Sequence, residues 1–87
     1  MNTTRHPSPN DLDRIGRTID TAGFSAVPAP LIDLVVSYAE RHQLRPVATS
    51  VLADPAAPTV ARVRAFGLVS LSVGRHLGRP LPEVSAA

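Results

Sequence analysis

The sequence has 87 residues and no cysteine, which allows one small domain at most and removes disulfides, thiolate catalysis and Cys-based zinc sites together. A chain of this size buries only about 60–65% of its unfolded surface, so dimerisation is a cheap way to gain stability. The net charge is only +2, although the sequence pI is near 10.5.

All nine cations are arginine, so between the histidine and guanidinium ranges only Tyr38 and a terminal amine titrate. The high pI reports this missing buffer more than a basic surface, and a GC-rich coding bias explains the lack of lysine at least as well as guanidinium chemistry does. Charge is unevenly placed: residues 1–43 hold four arginines and five acids, and residues 44–87 hold five arginines and two acids. Aromatic residues are limited to Phe24, Tyr38 and Phe66, so the core must be built from Val, Leu, Ile and Ala.

The first segment, "MNTTRHP" at 1–7, reads as a flexible tail with no apolar signal core, and a cytoplasmic protein is expected. A single helical domain over 8–78 follows. Ser8, Pro9 and Asp11 have the spacing of a helix start, with serine as N-cap, proline in the first turn and a reciprocating acid three residues on. Leu12, Ile15, Ile19 and Ala22 then fall on one stripe, opposite Asp13, Arg14, Arg17 and Asp20, and Gly23 suits the end.

"FSAVPAP" is a connector, because its prolines cannot continue a helix. Pro30 opens a second helix whose apolar side carries Leu31, Leu34, Val35, Tyr38 and Ala39, widened by Ile32 and Val36. Asp33 near its start and Arg41 with His42 near its end suit the helix dipole. "PVATSVLA" at 46–53 has the β-branched content of a strand but no strand to pair with, so a short helix is expected. Whether it is separate from the next helix stays open.

The last helix starts at Asp54-Pro55 or Ala57-Pro58 and ends by Gly78, before Pro80. Ten uncharged residues, Ala65 to Gly74, lie between arginines, too few for the roughly 20 that a membrane span needs. Val60, Val63, Phe66, Val73 and Leu77 share one broad face, while Leu68, Val69 and Leu71 make the remaining sides apolar too. Gly67, Ser70 and Gly74 form a track of small residues where a neighbouring backbone fits closely. The expected fold is therefore all-α, three or four helices packed around this C-terminal apolar helix, with a flexible tail at 79–87.

The leading expectation for function is a non-enzymatic interaction or regulatory module, of a size that suits a small bacterial protein. It would act as a homodimer or as a small subunit of a larger assembly, with Val63, Phe66, Gly67, Ser70, Val73, Gly74 and Leu77 at the contact. The second expectation is a helical DNA-binding regulator, with Arg62, Arg64, Arg75, His76 and Arg79 as candidate anion or nucleic-acid ligands. Arg64 and Arg75 lie about 20° apart on the wheel and roughly 16 Å apart along the axis, a spacing that can meet separate phosphates. Helix two, the turn "HQLR" and the short helix form the nearest approach to a helix-turn-helix, but "PVATSVLA" carries none of the Arg, Asn or Gln side chains that read base edges.

Catalytic signals are sparse. Asp33, Ser37 and Glu40 share a face without a histidine, and there is no nucleophile elbow, P-loop or dinucleotide fingerprint. No two histidines have metal-ligand spacing, and neither metal nor cofactor is expected. His42 suits capping of the carbonyls at its helix end, with pH sensing as the alternative, while His6 belongs to the tail.

Overall fold

A computed structural model describes residues 6–78 of the chain. Four α-helices and one short 3-10 turn make up the described residues: α1 (Pro9–Ala22), the turn Phe24–Ala26, α2 (Ala29–Arg41), α3 (Pro46–Ala53) and α4 (Thr59–Gly78). No strand occurs among them, so the ambiguous 46–53 segment is a helix.

Helix α1 starts with a complete capping box. The Ser8 side chain accepts from the Asp11 amide at 3.1 Å, and the Asp11 carboxylate accepts from the Ser8 amide at 2.9 Å. The helix ends at Gly23, whose amide reaches the Thr18 and Ile19 carbonyls with φ +94, a backbone that favours glycine. Packing begins before the boundary expected at residue 8. Pro7 is fully buried and the His6 ring meets Tyr38 edge-on, so these two residues belong to the domain. Residues 79–87, including Arg79, lie outside the described part.

Helix α2 buries Ile32, Val35, Val36, Tyr38 and Ala39, an i, i+3, i+4, i+7 stripe with Tyr38 beside it. It leads into a tight turn in which Gln43 and Arg45 both take positive φ, +56 and +44. Arg45 stands at the N-cap of α3 but makes no capping bond through its side chain. Inside α3, Leu52 is fully buried, and the Thr49 hydroxyl, also buried, donates to the Leu44 carbonyl at 2.9 Å.

Asp54 separates α3 from α4 by accepting the Ala56 amide in an Asx-type turn, which leaves Pro58 and Thr59 to open the last helix. The short helix and the last helix are thus two units. Arg62 ties them together, its fork donating to the Leu52 carbonyl at 3.1 and 2.8 Å while its guanidinium lies over the Phe24 ring.

Helix α4 touches α1, α2 and α3. Its buried residues are Ala65, Phe66, Val69 and Val73. The inner face is therefore turned by roughly a quarter of the circumference from the face expected at Val60, Val63, Phe66, Val73 and Leu77. Val69 lies inside with no exposure, whereas Val60 lies outside at 67%. The physical reason is that a helix apolar on most sides has no pattern strong enough to choose its own buried face. Its three neighbours choose it instead.

Candidate functional site

The apolar surplus of the molecule collects on the outer face of α3 and α4. Four large hydrophobic side chains stand in solvent there: Val47 at 79% exposure, Val60 at 67%, Leu71 at 54% and Leu68 at 44%. Val60, Leu68 and Leu71 follow one stripe of α4, with the exposed Arg64 between the first two and the exposed Arg75 one turn past the last. Between this stripe and α3 runs a groove of about 490 Å³. Pro46, Val47, Ala48 and Val51 form one wall, and Ala61, Ala65 and Leu68 form the other. Among the described residues, Arg45 and Arg64 are its only charged lining residues. Arg64 makes no ion pair with any described residue; Arg45 donates through Nε to the Ser72 hydroxyl at 3.4 Å.

The interface residues expected from sequence divide between the two sides of α4. Phe66 and Val73 are buried in the chain's own core, and Leu77 packs partly buried against it. Val63 is half-buried. Ser70 is half-buried as well, its hydroxyl bonded to the Gly67 carbonyl at 3.2 Å. Gly74 faces α1: a Cβ there would lie 3.5 Å from Cδ1 of Leu12. The close neighbour of the small-residue track is thus the chain's own first helix at that point, and a leucine at 74 would press on α1 of the same molecule. Gly67 faces open space beside the outer stripe.

The candidate anion ligands divide too. Arg62 is committed to the Leu52 carbonyl and the Phe24 ring, and His76 to Tyr38. Arg64 and Arg75 remain exposed. The buried hydroxyl of Thr49 leaves α3 one fewer side chain to offer a base edge.

One cluster is not visible in the sequence pattern. The Tyr38 hydroxyl and His76 Nδ1 share a 2.6 Å hydrogen bond. His42 packs tilted against both rings, with centroids 4.4 Å from Tyr38 and 4.5 Å from His76. His6 completes the group edge-on to Tyr38 at 5.7 Å. His42 is exposed overall, yet partial loss of water around its ring, then the neighbouring His76, Arg41 and His6, hold its pKa below the ordinary histidine value. The only local signal was the i, i+4 spacing of Tyr38 and His42; the third and fourth members arrive from α4 and from the segment before α1. Among the described residues, no group of three or more histidines and acids is disposed to hold a metal ion.

A second, larger hollow of about 650 Å³ opens between the end of α2 and α3, with Glu40, Gln43, Ser50 and Asp54 on its walls. No histidine stands among its described lining residues to act as general base for Ser50. Asp33 and Ser37 are exposed on α2 outside this hollow, so the three residues of the possible hydrolase face do not converge on one cavity. No helix among the described residues is long and apolar enough to cross a membrane. The chain matches no family model, no curated protein and no solved structure.

Proposed function

We propose that this chain is a non-enzymatic protein-interaction module that docks a partner on the outer face of α3 and α4. The observation that carries the reading is the exposed band of Val47, Leu68, Leu71 and Val60 beside a groove walled by apolar side chains. Scattered surface hydrophobics are ordinary, but several on one face beside an apolar groove make the surface on which an amphipathic element buries its own apolar face. The face is also preformed. The fully buried Leu52 fixes α3 from within, and the Arg62 fork holds the α3 end against α4, so a partner meets a rigid surface with little ordering left to do.

This reading keeps the interaction role expected from sequence and moves the contact about a third of a turn round α4. Phe66 and Val73 hold the scaffold; Val47, Leu68 and Leu71 present the surface. Photocrosslinking in cells tests it. A benzophenone side chain at Val47 or Leu71 should give discrete adducts, and the same group at the exposed Arg17 of α1 should give none. Equal labelling from all three positions, or from none, removes the proposed face.

A further inference from the structure

We infer that the occupant of the α3–α4 groove is an amphipathic helix of another protein, bearing two acidic residues about two turns apart that meet Arg45 and Arg64. This rests on the interaction face proposed above and adds the chemistry of its partner. Among the described residues, the groove is lined by two cations and no acid. Arg64 lacks an ionic partner within the described chain. Arg45 Nε is tethered to Ser72, eight positions beyond Arg64 on α4, so the two cations are anchored at levels roughly 12 Å apart along the helix axis. A helix lying in the groove spans that distance with acids seven or eight residues apart, and its apolar i, i+3, i+4 positions fall on Val47, Val51 and Leu68.

The backbone of Arg45 points the same way. Its φ of +44 and ψ of +62 belong to the left-handed region, where glycine costs least and an arginine costs about 1–2 kcal/mol. Its carbonyl accepts the Thr49 amide at 2.8 Å, a bond any residue can supply, while the arginine side chain itself gives the fold one long, exposed hydrogen bond to Ser72. The turn itself demands positive φ, which Gln43 shares at +56; what the fold does not use is the choice of arginine over glycine there, and that side chain lies on the groove.

A second copy fits the same groove poorly. Two-fold pairing of this face brings four arginines onto one seam with no acid among the described lining residues to meet them, since such an interface joins the same patch on both subunits. The chain's own helices with acids seven apart, α1 with Asp13 and Asp20 and α2 with Asp33 and Glu40, both have their apolar stripes buried inside, and Asp13 is paired with Arg17 at 3.1 Å.

The test uses the full chain and two labelled synthetic helical peptides with the same leucine face. One carries glutamates about eight residues apart at the flanks, and the other carries lysines there. Fluorescence anisotropy should show the glutamate peptide binding at least tenfold more tightly, with the advantage shrinking as salt rises. Arg64→Glu should reverse the preference. Arg45→Gly should lose several-fold in affinity for the glutamate peptide while melting no lower than the wild type, which separates contact from folding. Equal binding of both peptides, or binding of neither, overturns the acidic partner. A dimeric native mass that Leu68→Asp converts to monomer overturns it in favour of a second copy, and displacement of the glutamate peptide by a short DNA duplex overturns it in favour of nucleic acid. In each case the crosslinks from Val47 and Leu71 decide separately whether the face itself stands.

Discussion

Helices α1 and α3 both pack on α4, and they dispose of their apolar residues in opposite ways. In α1 the stripe of Leu12 and Ile15 turns inward, the outer side is Asp13, Arg14, Arg17 and Asp20, and both ends are closed by local bonds. In α3 one leucine, Leu52, is buried, Val47 stands almost fully in water, and the helix begins on a strained arginine without a side-chain cap. Local preference and global placement agree throughout α1. They disagree in α3, and the disagreement coincides with the groove. The contrast teaches where to look on a small domain: the locally consistent helix serves the fold, and the inconsistent one shows what the fold is for.

Three substitutions sets break or sharpen that contrast. The largest effect should come from the shared interior. Ile15→Ala and Leu52→Ala each remove a side chain with no exposure, and each should lower unfolding free energy by about 3 kcal/mol in urea titrations, whereas Val47→Ala should change it by less than about 0.5 kcal/mol. A large loss at Val47 would mean that α3 is held by both its faces. At the helix starts the two should move in opposite directions. Ser8→Ala should cost about 1 kcal/mol through the broken capping box, while Arg45→Gly should gain roughly 0.5 kcal/mol, the relief of left-handed strain less the freedom glycine adds to the unfolded chain. Equal losses at both sites would erase the distinction between a built cap and a strained one.

The smallest effect is set by pH. Because the folded chain holds His42 below its ordinary pKa, the unfolded chain binds the proton more readily. Stability should be full above about pH 6.5, where the unfolded imidazole is neutral, and should fall as the pH drops below that value toward the lower folded pKa. His42→Asn should flatten part of this slope in melts followed by circular dichroism. An unchanged slope would show that the ring's neighbours, Tyr38, His76, Arg41 and His6, do not govern its titration.

What could be read from the sequence follows the range of each interaction. The cap at Ser8 and Asp11 spans three residues, and the α1 stripe and the closing glycine span one helix, so all were legible. The prolines marked the starts of α2 and α3 for the same reason. The orientation of α4 was not legible, because Leu68, Val69 and Leu71 gave it apolar residues on sides that only tertiary packing could rank. The small-residue track was seen, but its neighbour at Gly74 is Leu12, more than sixty positions away in a chain that sequence spacing cannot fold. The groove could not be found from α3 or α4 separately, since each supplies one wall. The histidine cluster joins the segment before α1 to α2 and α4, and neither composition nor helical phase brings those three together.

The hydroxyl–imidazole bond at the α2–α4 junction also has a practical consequence. Tyr38 is the chain's one tyrosine, and there is no tryptophan. With excitation in the tyrosine band, beyond that of Phe24 and Phe66, the emission therefore comes from a phenol that can pass its excited-state proton to a base 2.6 Å away. The protein should glow dimly while that junction is closed and brighten when the two helices part. Emission watches one joint and circular dichroism watches every helix, so coincidence of the two traces during unfolding would report that the joint and the whole domain come apart as a single cooperative unit.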